Sequence, residues 1–134
     1  MKSKQHEAEL GGGATKAEMD ILQVLWDNGP STVRLVNDTL NAQKKAVQYT
    51  STLKQMQVMT EKGMLLRDES SMKHIYTAAL DEQTTKAQLL DKFVDTMYKG
   101  SPSNLVMQLL GNKKTSQAEL DAIRALLDQH QNEL

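Results

Sequence analysis

Residues 49–78, YTSTLKQMQVMTEKGMLLRDESSMKHIYTA, decide the fold, because the apolar period changes once along that stretch. Before Gly63 the residues Tyr49, Leu53, Met56 and Met59 recur at helical spacing and form an inward stripe. Thr50, Ser51, Lys54, Gln55 and Val58 then fall on the outward face, and Gly63 suits a helix C-cap. Beyond Gly63 the period becomes short and extended. Residues 64–68 and 74–78 have strand character, and the polar residues 69–73 between them suit a turn. A helix running straight into a small β-hairpin is the expected structure.

Two more helices are expected upstream. Thr15 followed three residues later by Glu18 has the spacing of a capping box, in which each side chain satisfies a free backbone donor at a helix start. Ile21, Leu22, Leu25 and Trp26 define one buried face, and Asn28-Gly29-Pro30 stops the helix. Ser31 and Thr32 are N-cap candidates for a second helix carrying Val33, Val36 and Leu40. A short polar connection, residues 41–45, leads from this helix into the third. That is the layout of a helix-turn-helix, and the hairpin behind it makes a winged variant. Residues 15–80 are therefore expected to form a winged-helix DNA-binding domain, preceded by a flexible leader, residues 1–14, that includes Gly11-Gly12-Gly13.

Residues 81–134 return to helical patterning in three pieces. The first carries Ala87, Leu90, Phe93, Val94 and Met97 before Gly100 and Pro102 interrupt it; the second carries Leu105, Val106, Leu109 and Leu110. Thr115 or Ser116 caps the third, with Glu119 completing a second capping box, and Leu120, Ile123 and Leu127 form its stripe beside Leu126. So short a segment rarely hides three apolar stripes within itself, so a second copy of the chain is the expected partner. The residues expected to make the homodimer are Leu90, Phe93, Val94, Met97, Leu105, Val106, Leu109, Leu110, Leu120, Ile123 and Leu127. The fold class is mainly α with a small β-hairpin: an N-terminal winged helix-turn-helix and a C-terminal three-helix dimerisation arm.

Composition narrows the functions open to such a chain. Its 134 residues suit one ordinary domain or two small ones. With no cysteine there is no disulfide, thiolate metal site or thiol chemistry. No apolar run approaches the roughly 20 residues of a membrane-spanning helix, and the polar start lacks a secretory core, so a cytoplasmic protein is expected. Sixteen basic and 17 acidic side chains give a net charge of −1. Residues 44–76 hold six cations (Lys44, Lys45, Lys54, Lys62, Arg67, Lys73) against three anions (Glu61, Asp68, Glu69), a local +3.

The start of the third helix offers Gln48, Thr50, Ser51, Lys54 and Gln55 to base edges or phosphates, and its free backbone N–H groups favour an anion. Lys44 and Lys45 precede it, and Arg67 and Lys73 lie in the hairpin, so cations flank the reader on both sides. Val58 is expected to pack on the hairpin and Met72 to be exposed at its tip. The competing reading is a winged-helix module that docks protein and not DNA. Catalytic chemistry lacks support: His6, His74 and His130 fall on separate segments, the adjacent carboxylates Asp68 and Glu69 diverge, and no phosphate-cradling loop or nucleophile motif occurs. No enzyme activity, metal or cofactor is expected.

The run from Lys16 through Trp26 to Gly29-Pro30, then Thr32-Val-Arg-Leu-Val36, resembles the first two helices of the penicillinase-repressor family (BlaI/MecI/CopY type). Tyr49-Thr-Ser-Thr-Leu53, Glu61-Lys62-Gly63, Leu65, Arg67, Tyr76, Leu105-Val106 and the Ser116–Leu127 stretch continue the likeness over about residues 15–130. The resemblance implies a bacterial, homodimeric transcriptional repressor on a dyad operator in double-stranded DNA. It adds Tyr49 to the reader residues Thr50, Ser51, Lys54 and Gln55, with Lys73 or Arg67 as wing contacts. The family's copper-responsive branch senses metal through C-terminal cysteines, and this chain has none. Its antibiotic-responsive branch is inactivated by a regulatory protease at an Asn-Phe bond, where this chain carries Gln108-Leu109.

Overall fold

A computed structural model describes residues 14–43, 46–112 and 114–132. The leader up to residue 13 and the candidate DNA contacts Lys44 and Lys45 lie outside the described residues. In order come α1 (Lys16–Asn28), α2 (Val33–Ala42), α3 (Tyr49–Glu61), β1 (Leu65–Asp68), β2 (Ile75–Ala78), α4 (Glu82–Tyr98), α5 (Pro102–Leu110) and α6 (Gln117–Asn132). The mainly helical fold with one small antiparallel hairpin is as the sequence led us to expect. Residues up to Lys92 and residues from Phe93 onward pack as two compact units, so the division falls inside α4.

In the first unit the local signals become geometry. The Thr15 hydroxyl accepts from the Glu18 N–H while the Glu18 carboxylate accepts from the Thr15 N–H, a complete capping box. Gly29 closes α1 at φ +77°, a left-handed backbone that any side chain would strain, and donates its N–H to Leu25. Thr32 caps α2 through the Leu35 N–H. The hairpin register pairs Leu65 with Ala78 and Arg67 with Tyr76. A further bridge joins Ser31 to Tyr76 through two backbone bonds of 2.9 and 2.8 Å, tying the α1–α2 turn to the wing.

The core of this unit draws Ile21, Leu22, Val24 and Leu25 from α1 and Val33, Val36 and Leu40 from α2. Met56, Met59, Met64, Leu65 and Tyr76 close it from the third helix and the wing. Two details differ from the sequence-based stripes. Trp26 is only partly buried, because its indole N–H reaches the Leu80 carbonyl at 2.9 Å beside the start of α4. On α3 the fully buried set is Thr52, Met56 and Met59, whereas Tyr49 and Leu53 lie at the core's edge. Burial of Thr52 is tolerated because its hydroxyl accepts a hydrogen bond from Asn37.

Glu18 has a second task. Its carboxylate, almost fully buried, also meets the Lys62 ammonium at 2.5 Å, linking the start of α1 to the end of α3. The foot of α4 is held on α1 as well: Gln23 donates to Glu82, which pairs with Lys86, and the Lys86 ammonium stands 5.7 Å from the Trp26 ring. Asp81 accepts from the Thr84 N–H, and this bond holds its carboxyl below the usual range.

The second unit is shorter and its caps are equally clear. Ser101 caps α5, with Pro102 in its first turn, and Ser116 and Glu119 form a reciprocal capping box on α6. Phe93 and Tyr98 meet edge to face at 5.9 Å. Of its apolar residues only Val94 is buried among the described residues.

Candidate nucleic-acid interface

The surface that gathers polar and cationic groups is built from the starts of α2 and α3 and from the wing. Thr32 fixes the first turn of α2, which places Arg34 one residue into the helix and in the open. The Arg34 guanidinium lies over the Tyr49 ring, 4.2 Å from its centre. A planar cation stacked in this way keeps its N–H donors at the rim for a further acceptor. Below Arg34 opens a cleft of about 460 Å³. Thr32 and Val33 form one wall, Tyr49 and Leu53 the floor, and Met72, Lys73, His74 and Tyr76 the wing side.

The sequence-based reader residues distribute unevenly around this cleft. Thr50, Ser51 and Lys54 are exposed on the first turns of α3, and Gln48 is exposed at its N-cap. Gln55 is half-buried and borders a smaller hollow with Asp20, Ile21, Leu40 and Ser51. Tyr49 is half-buried beneath Arg34. Lys73 stands on the wing at the cleft's edge, beside Met72, which is 99% exposed. Arg67 is placed differently. Its Nε donates to Glu69 at 2.6 Å, and bonding to Tyr76 and then Glu69 holds its pKa above the usual arginine value. The guanidinium is thus engaged by a carboxylate within the wing.

Local bonds give the wing tip its shape. The Asp68 carboxylate accepts from the Ser70 N–H, which lowers its pKa, and the Ser71 hydroxyl donates to the Lys73 carbonyl. Val58 is half-buried on α3.

Sequence reasoning named Thr32 as an N-cap candidate but passed over Arg34 as a residue of the cleft. The signal was there: an N-cap threonine two residues before an arginine sets that cation on the first turn of a helix, where phosphate oxygens are favoured. The bridge from Ser31 to Tyr76 had no such signal, being a pairing between residues far apart in the chain.

In the helical arm, the expected interface residues are largely open. Leu90, Phe93, Met97, Val106, Leu109, Leu110 and Leu127 are exposed, Leu105, Leu120 and Ile123 are half-buried, and Val94 is buried. Met107 and Leu126 add to the exposed apolar residues. Among the described residues no helix is long and apolar enough to cross a membrane, and no group of three or more His, Asp or Glu is placed to hold a metal ion.

A family model described as penicillinase repressor matches residues 14–129, spanning both units. The penicillinase repressor of Bacillus licheniformis is 23% identical over 117 residues, covering 87% of this chain and 90% of that relative.

Proposed function

The chain belongs to the penicillinase repressor family, and from that premise we propose that it is a transcriptional repressor that binds a dyad operator as a homodimer and catalyses no reaction. One observation carries the DNA reading: the exposed polar turns of α3 stand beside a cleft edged by Arg34 and Lys73. Thr50, Ser51, Lys54 and Gln55 face the major-groove edges, Arg34 meets a backbone phosphate, and Lys73 takes a second phosphate from the wing. Fixed backbone contacts set the register, and the α3 side chains supply the sequence preference.

The apolar residues of the arm support the dimer. Exposed leucines, methionines and Phe93 leave an apolar surface on α4, α5 and α6, and a second copy offers the same surface in return. Two readers held at a fixed spacing bind one duplex far more tightly than either alone.

Gel retardation with the duplex upstream of the chain's own gene tests the proposal. A retarded complex that dissolves steeply as salt rises is expected, because cationic contacts release counterions. A folded dimer that retards no such duplex at low salt would favour a protein-docking module instead.

A further inference from the structure

The other five helices, α1, α2, α4, α5 and α6, each have an N-cap fixed by a side chain, and α3 departs from that rule. Thr15, Thr32, Asp81, Ser101 and Ser116 each bond a backbone N–H of the turn they open, whereas Gln48 makes no side-chain cap bond. The helix that carries the reader is therefore started by something other than its own cap.

The substitute comes from α2. Asn37 is 3% exposed, and its amide donates to the Val47 carbonyl at 3.0 Å and to the Thr52 hydroxyl at 2.8 Å. Its carbonyl oxygen accepts from the Asn41 amide at 3.2 Å. Asn41 in turn accepts from the Val47 N–H at 2.8 Å. Both backbone groups of Val47 are thus held, one by each asparagine. Just before it, Ala46 takes a left-handed backbone at φ 53°, an unfavourable conformation for a residue with a Cβ that persists only where neighbours hold it.

We propose that Asn37, assisted by Asn41, is a positioning residue for operator reading. It touches no base. It sets the rotation and depth of α3 by gripping Thr52 on the inner face and Val47 at the entry. Successive helical residues are about 100° apart, so fixing Thr52 fixes the directions of Thr50, Ser51 and Lys54. A small turn of the helix would misalign hydrogen bonds to base edges while long cationic side chains still found phosphates. The role rests on the DNA reading proposed above.

The variants are Asn37→Leu, which keeps the branched side-chain shape and removes every side-chain hydrogen bond, and Asn41→Ala, at an exposed site where folding is not at stake. Each full-length variant is compared with the parent by hydrogen exchange of the Ser51 and Thr52 amides. Each is also tested for affinity to a duplex enriched by the parent from a random pool and to a scrambled duplex. Expected is faster exchange at those amides, with core amides of α1 still protected. Expected too is a loss of roughly tenfold for the enriched duplex and much less for the scrambled one, in Asn37→Leu, with a smaller loss of the same kind in Asn41→Ala. Equal losses on both duplexes, or unchanged exchange at α3, would overturn the positioning role. A parent chain that enriches no duplex would overturn the DNA reading itself, while the exchange data still report separately whether Asn37 holds α3.

Discussion

The Lys62 ammonium meets the Glu18 carboxylate at 2.5 Å, and Glu18 is at the same time the acid of the capping box that opens α1. One buried carboxylate therefore starts the first helix and anchors the end of α3. Such a charge is tolerated only while its partner is present, because the low-dielectric interior penalises an unpaired ion.

Lys62→Met should therefore destabilise the first unit by about 1–3 kcal/mol, less than a fully buried pair since the lysine is partly in water. Glu18→Gln with Lys62→Met should cost less than the sum of the two single changes, because no charge is left stranded. Urea unfolding of the four proteins measures this coupling, and strict additivity would show that the pair does not act as one.

Acid should loosen the foot of α4. The Thr84 N–H holds the Asp81 carboxyl below its usual value, and Lys86, followed by Gln23, does the same for Glu82. Groups with depressed folded pKa values stabilise the chain above the ordinary carboxylate range, about pH 4, and that contribution is lost as pH falls through the depressed values. In the variant Asp81→Asn/Glu82→Gln the thermal midpoint should fall below that of the parent at neutral pH, and the gap should close in acid. A gap that widened with falling pH would reverse the sign.

Phosphate and base contacts should separate by mutation. Arg34→Ala should weaken binding to every duplex alike and reduce the slope of log affinity against log salt by about 1. Lys54→Ala should cost about 1–3 kcal/mol on the preferred duplex and relax the preference. Fluorescence anisotropy titrations across salt concentrations distinguish the two patterns. Loss of preference in Arg34→Ala with an unchanged slope would exchange their roles.

Much of this fold is legible in the sequence because its punctuation is local. Thr15 with Glu18, Thr32, Gly29 and Ser116 with Glu119 each act within one turn of chain, and each appears in the structure where the spacing puts it. What escapes is what depends on distant partners. A periodic count cannot separate Leu53 from Thr52 as the buried neighbour, since only the Asn37 amide across the helix-turn-helix makes a buried threonine acceptable. Asn37 itself looks like any polar helix residue until Val47 folds back beside it. Arg34 looks like a solvated cation until Tyr49 arrives beneath it. The candidate site was half visible for the same reason: α3 announces its own exposed side chains, but the cleft that gives them a setting joins three segments.

The arm supplies a separate test. Met97, Leu109 and Leu127 are 60%, 48% and 62% exposed, so a charge at any of them leaves the single chain's packing intact. Met97→Glu, Leu109→Glu and Leu127→Glu, combined, should convert a dimer to a monomer in analytical ultracentrifugation with helix content retained. Persistence of the dimer would place the interface elsewhere.

The central claim is that two copies of this chain read one operator through α3. Footprinting and retardation on the duplex upstream of the chain's own gene test it together, with stoichiometry taken from the titration. The expected result is two chains per duplex, protection of two half-sites related by a dyad and spaced by about one helical turn or a multiple of it, and a steep loss of binding with salt. A folded dimer that leaves the duplex unprotected and unretarded at low salt would contradict the claim.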